Sequence, residues 1–251
     1  IAALPVALSV APTPGLPVDV RLNIKRLYQI SPAGTLGCLA IGFANGSFWA
    51  LGPVFATDIS GDVELAAWFM TSAVIGGALA QWPIGFLSDR LGRRRLQVAS
   101  ALACAGVSAA IILLSPVLGK AGIALLGAAW GGFAFPLYAI SVAHTNDHAD
   151  ASEYVMVSGG LLMMYGVGAI AGPFLASTLM TWAGPTGLFV FTAGVHVVLV
   201  LFSLQRSFRR GGTPADHHIA YGDALASAQT VSQVYDEEIG HAADVEQRAG
   251  G

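Results

Sequence analysis

Apolar residues in this chain run on without a break, and the charged residues fall between the runs. No Asp, Glu, Lys or Arg occurs across 27–57, 65–88, 96–119, 121–146 or 154–205. A helix needs about 20 apolar residues to cross the hydrocarbon core of a bilayer. Each of the first four stretches accommodates one crossing, and the last accommodates two with a turn at Gly184, Pro185, Thr186 and Gly187. The pattern predicts helices at 31–57, 65–88, 96–118, 121–143, 154–182 and 187–205. The runs are far longer than the alternating ten-residue strands of a membrane barrel. Pro53, Pro83, Pro136 and Pro173 fall within or near the ends of these spans, where neighbouring helices satisfy the carbonyls that a proline frees. The expected fold is therefore an all-α polytopic membrane protein whose first partner is the lipid bilayer.

Composition agrees with this reading. Of 251 residues, 55% are hydrophobic and 11% charged, against about 25% charged in a soluble domain. Cys38 and Cys104 both sit inside apolar runs, which fits packing residues and leaves no disulfide framework or paired-cysteine metal site. No basic patch carries the interleaved aromatics of a nucleic-acid surface, and nothing in the sequence calls for a metal or cofactor. If the spans alternate, Arg21, Lys25, Arg26, Arg90, Arg93, Arg94, Arg95, Arg206, Arg209 and Arg210 share one side and Lys120 stands alone on the other. The positive-inside rule makes the first side cytoplasmic, with both ends of the chain on it.

Residues 1–30 read as the end of a preceding helix followed by a cytoplasmic linker broken by Pro12, Pro14 and Pro17. A processed leader is the alternative. Residues 206–251 read as a polar, disordered tail, in which His217 and His218 make only a weak metal pair. His144, Asn146, Asp147 and His148 follow the fourth span and read as a solvated turn, with a metal or gating role as the alternative.

The sharpest motif is Gly85-Phe86-Leu87-Ser88-Asp89-Arg90-Leu91-Gly92-Arg93-Arg94-Arg95, in the short turn between the second and third spans. Gly85 permits close helix approach, Gly92 a sharp turn, and Asp89 caps a helix or pairs with a nearby Arg. An ordinary positive-inside loop needs bases only, not an Asp-Arg pair framed by glycines. The string resembles motif A of the major facilitator superfamily, in which Gly85, Asp89, Arg90, Gly92, Arg93 and Arg94 match. Gly159, Gly168, Gly172 and Pro173 in the fifth span resemble that family's motif C, a helix-interface motif, with Ala176 and Ser177 where it ends in glycines. Both motifs lie where the family carries them within a six-helix half.

The resemblance covers 31–205 and implies one half, the C-terminal one, of a twelve-helix secondary transporter in the plasma (inner) membrane, its other half being the missing partner. It also implies alternating access, with a motif A acid that engages the opposite half and holds the cytoplasmic side closed. By resemblance, the first and fourth helices of a half line the path of a small-molecule substrate. The first span offers Asn45 and Trp49 on one face, and the fourth offers Trp130, Tyr138 and Ser141, although Trp and Tyr also mark the membrane interface. Gln81 in the second span and Tyr165 in the fifth are secondary candidates. His196 is an ionisable group inside a span and reads either as functional or as a packed neutral imidazole. No Asp or Glu lies inside any span, so a coupling carboxylate belongs to the other half, or transport is uncoupled. A membrane enzyme is not expected, because no nucleophile, base or metal set stands within reach. A non-transporting receptor or scaffold of the same fold is the alternative function.

Overall fold

The computed structural model describes residues 22–207, and no strand occurs among them. The helices are α1 (Ile24–Ile30), α2 (Pro32–Ser60), α3 (Val63–Leu91), α4 (Arg93–Leu114), α5 (Lys120–Ala134), α6 (Pro136–Asn146), α7 (Tyr154–Ala183) and α8 (Gly187–Ser207). Six segments are long and apolar enough to cross a membrane, α5 and α6 together making the fourth. These are the six spans expected from the charge gaps. The early part of the expected linker, including Arg21, lies outside the described residues, as does the tail from 208 with Arg209, Arg210, His217 and His218.

Local chemistry sets the boundaries. The Ser31 hydroxyl accepts from the Gly34 N–H at 3.1 Å, and Pro32 follows at the first helical position, so α2 starts there. Asp62 caps α3 by accepting from Glu64 N–H at 2.8 Å. The turn between α3 and α4 is made by Gly92 alone, at φ 87°, a conformation that L side chains adopt at a cost. Pro53, Pro83 and Pro173 stay within continuous helices. Pro136 divides the fourth span, with Phe135 between α5 and α6, because proline lacks the N–H that would continue the ladder.

Two seams of small residues hold the spans together. Along α2 and α7, a Cβ on Gly168 would sit 2.2 Å from the Leu39 carbonyl oxygen, and one on Gly172 2.4 Å from that of Phe43. Reciprocally, a Cβ on Gly42 would meet the Tyr165 carbonyl oxygen at 2.1 Å and one on Gly46 the Ala169 backbone at 2.5 Å. Along α3 and α5, Gly76 faces the Ala128 carbonyl at 2.0 Å and Gly131 faces that of Ala73 at 2.1 Å, on the same measure. Such contacts replace the hydrophobic drive that lipid tails remove. One seam joins spans one and five, the other spans four and two. Exchanging the first three spans for the last three maps one seam onto the other, as an inverted three-helix repeat does.

The core between the seams is aromatic. Phe48, Phe55, Phe69, Trp130 and Phe189 are fully buried, with Phe48 stacked on Trp130 at 4.1 Å. The short α1, which the apolar pattern did not single out, lies against α2 and α7 through Leu27 and Ile30. Thr35 donates to the Leu27 carbonyl at 3.3 Å, joining α1 to the first span.

The seam geometry has a direct test. Gly168→Val forces α2 and α7 apart and lowers stability by about 3 kcal/mol, the upper part of the overpacking range. Gly106→Val, where a Cβ meets nothing within 4 Å, leaves it within about 0.5 kcal/mol. Thermal unfolding followed by a thiol-reactive dye on the buried Cys38 and Cys104 measures both; equal melting of the two variants contradicts the close-contact assignment.

Candidate functional site

The motif turn joins the end of α3 to the start of α4 and is met there by the ends of α6 and α8. Arg93, Arg94 and Arg95 open α4, which places their charge at the helix terminus that carries a positive dipole and therefore calls for acidic partners. Arg93 is 2% exposed, and its Nε lies 2.7 Å from Asp147 Oδ2, whose side chain is equally buried. The Arg93 N–H groups lie out of line for a hydrogen bond, so the contact is an ion pair. Asp89, one turn earlier, approaches Arg93 Nη2 at 3.6 Å with its own side chain 41% exposed. Arg94 donates to the Ser203 carbonyl near the end of α8. Arg90 lies over the Phe86 ring, 4.1 Å from its centroid, and Gly85 is buried.

Sequence reasoning placed Asp147 in a solvated turn and missed its pairing with Arg93. The turn after the fourth span is only partly the solvated loop expected: His148 and Asp150 are exposed, but Asn146 and Asp147 are buried, the Asp147 carboxylate against the guanidinium of Arg93. The signal available in the sequence was an acid just after the fourth span opposite an arginine triplet on the same face.

The opposite face carries a second charged cluster. Lys120, at the start of α5, pairs with Asp62 and, at 3.3 Å, with Glu64. On the Arg-rich face Arg26 grips Glu153 with two contacts of 2.7 and 3.1 Å. Each pair joins the entrance of one three-span set to the loop before the second helix of the other set. The hydrogen bond from Arg26 holds the Glu153 carboxyl below its usual range, with the guanidinium charge adding to it. The Lys120 hydrogen bond and then the Glu64 N–H do the same for Asp62. A lowered carboxylate pKa means that each contact is complete at neutral pH and fades as pH falls through the lowered value, below about 4. All these groups are surface groups, so they position the loops more than they stabilise them.

The candidate path residues separate into two groups. Trp130 and Ser141 are enclosed: the Trp130 indole donates to the Ser108 hydroxyl at 3.0 Å, and Ser141 accepts from Gln97 at 2.9 Å. The break at Phe135 and Pro136 lies between Trp130 and Tyr138 and interrupts the single helical face the spacing implied. Trp49 is 48% exposed and stacks on Phe135 at 5.4 Å with an interplanar angle of 7°. Tyr138 and Tyr165 are half-buried and meet edge to face at 5.1 Å. Asn45 is buried, and its Oδ1 has no hydrogen-bond partner. Gln81 is half-buried on α3, and no contact to this group is seen for it.

Of the motif C residues, Gly168 and Gly172 form the α2–α7 seam, Pro173 follows it, and Gly159 faces open space. His196 is buried, its Nδ1 2.7 Å from the Thr192 carbonyl. A carbonyl only accepts, so Nδ1 carries a proton. No group of three His, Cys, Asp or Glu able to hold a metal occurs among the described residues.

The family model of the Major Facilitator Superfamily matches residues 34–231. This chain belongs to the major facilitator superfamily. Relatives include an MFS-type transporter of Yersinia pestis (strain Pestoides F), 30% identical over 76% of this chain and 48% of its own length. The MFS-type transporter YcaD of Escherichia coli O17:K52:H18 is 30% identical over 72% of this chain and 45% of its own. A Yersinia enterocolitica MFS-type transporter is 30% identical over 69% and 44%. The chain thus matches a little under half the length of each of these relatives. No solved structure matches it. As a superfamily member with six spans, it is an integral membrane protein of a transporter family, and its described spans amount to one half of the twelve-helix fold.

The buried ion pair gives a prediction. Asp147→Ala leaves the Arg93 guanidinium buried without its nearest counter-charge and costs about 3–5 kcal/mol. Adding Arg93→Met removes the stranded charge and recovers most of that loss. Thermal melting of the two variants in detergent decides: a single variant as stable as the parent contradicts the pair, and so does a double variant no better than the single.

Proposed function

We propose that this chain forms the C-terminal six-helix half of a secondary transporter that moves a small molecule by alternating access, in the plasma (inner) membrane and with both termini cytoplasmic. The observation that carries the reading is the motif turn, where Arg93 is spent on an internal ion pair while Asp89 stands 41% exposed at the same face. A carboxylate that keeps this much of its surface exposed can also meet the end of a helix in a second half. The alignment of under half of each relative supports the presence of such a half in the working protein.

Asp89 then acts as a latch. Its charge favours the state in which the cytoplasmic ends of the halves meet, where a positive helix terminus lies close and water is scarce. Opening toward the cytosol breaks those contacts, and differential interaction with two states is what a switch requires. The substrate path runs past Asn45, Trp49, Tyr138 and Tyr165, with Gln81 beside it and the enclosed Trp130 and Ser141 backing it.

Two measurements test this. Full-length protein in proteoliposomes, screened against a panel of radiolabelled metabolites, is expected to show saturable uptake of at least one; a properly folded protein that moves none of a broad panel argues against transport. In the second, Asp89→Asn keeps the size and removes the charge, and it slows that uptake by roughly 10-fold, the effect of about 1.4 kcal/mol, without preventing insertion. It also raises labelling of cytoplasmic-face cysteines and lowers labelling of a cysteine at Ser60 by an impermeant maleimide added outside. Unchanged rate and labelling remove the latch role, and labelling of Ser60 only from the cytosol reverses the orientation.

A further inference from the structure

The face opposite the motif turn holds a cleft of about 480 Å³, within the size range of small-molecule sites. It lies where the ends of α2 and α4, the starts of α3 and α5 and the turn before α8 converge. Leu65 and Ile123 make a buried apolar floor, and Ile59 and Leu118 are half-buried beside them. Ser60, Pro116 and Lys120 form an exposed rim.

Three sets of donors border this cleft with bonding capacity to spare. Ser115 is 9% exposed, and no hydrogen bond of its hydroxyl is seen among the described residues. The start of α5 is the second: Gly119 brings no side-chain cap, and its carbonyl is taken by the N–H groups of Gly122 and Ile123. The N–H groups of the first helical residues therefore face outward without a cap. Lys120 is the third. An ammonium carries three N–H groups, of which Asp62 and Glu64 take two.

Charge narrows the molecule. Lys120 already shares one positive charge between two carboxylates, and Asp58 stands exposed on the same face, so an entering carboxylate or phosphate would meet net negative charge. No Asp or Glu among the described residues borders the cleft, so an entering ammonium would be desolvated without a partner there. An uncharged acceptor oxygen carries neither cost and gives the Ser115 hydroxyl a bond.

We infer that this cleft binds a small uncharged carbonyl compound, with its apolar body on Leu65 and Ile123 and its oxygen accepting from Ser115 and Lys120. The site is separate from the substrate path and does not rest on the transporter reading.

The test uses the full-length protein in lipid nanodiscs, cleared of other reactive thiols, with Thr186→Cys as a reporter on the cleft wall; Cys38 and Cys104 are buried. The rate of maleimide labelling is followed against the aqueous concentration of four probes. Benzophenone carries the carbonyl, diphenylmethane lacks it, 4-benzoylbenzoate adds a negative charge and 4-(aminomethyl)benzophenone a positive one. Benzophenone is expected to slow labelling saturably, at about tenfold lower concentration than diphenylmethane, the value of one hydrogen bond, and at lower concentration than either charged analogue. Labelling of Val63→Cys, exposed nearby but outside the lining, stays unchanged. In Ser115→Ala the preference for benzophenone over diphenylmethane falls to about threefold or less. Absence of saturable protection, equal protection by diphenylmethane, or equal slowing at Val63→Cys overturns the inference, even where Ser115→Ala fails to fold. Tighter binding of a charged analogue overturns the uncharged assignment, and an unchanged preference in folded Ser115→Ala overturns the role of that hydroxyl. None of these readouts depends on transport, so failure of the transporter reading leaves the site intact, and failure of the site leaves that reading intact.

Discussion

Backbone contact between helices is the constraint on which the remaining structure depends. A lipid tail is as apolar as a leucine, so burying leucine between membrane helices yields little, and association relies on close packing. Here the packing is reached by leaving out side chains. Gly42, Gly46, Gly168 and Gly172 bring α2 and α7 together, and Gly76 and Gly131 bring α3 and α5 together. Any Cβ at these positions would overlap the facing backbone. The large side chains are thereby directed into the single aromatic core around Phe48, Phe69 and Trp130.

With the spans held by backbone proximity, charge is left to the two faces. Each face has an ion pair that joins one three-span set to the other, Arg26 with Glu153 and Lys120 with Asp62 and Glu64. The exception to surface placement is Arg93 with Asp147, where the start of the third span and the turn after the fourth are tied inside the fold. Arg94 adds the end of α8 through the Ser203 carbonyl. The three helix ends around the motif turn are thus fixed to one another, which leaves Asp89 as the partly exposed acid of the motif.

Much of this was legible from residue order. Charges are so costly in a bilayer that their absence over long stretches marks the spans without reference to packing, and the motif turn stands out because its glycines and Asp-Arg pair exceed what a positive-inside loop needs. What was not legible depends on chain-distant geometry. Asp147 reads as solvated until Arg93 is placed opposite it. Trp130 and Tyr138 read as one face, but Pro136 interrupts the helix between them. The apolar faces of α1 occupy too few residues to register as a pattern, yet Leu27 and Ile30 dock it on the bundle. Asn45 was identifiable as a polar residue beside Trp49, whereas the packing that buries it and leaves its Oδ1 without a partner depends on helices distant in the chain.

The two glycine seams and the aromatic core that links them predict that the six spans move as one rigid body. Nitroxide labels at Gly106 and Gly159, positions where a side chain meets open space, report the internal distance by double electron–electron resonance in nanodiscs. One narrow distance is expected, unchanged between conditions favouring access from one side of the membrane and from the other. A distribution that shifts or splits with those conditions would contradict it.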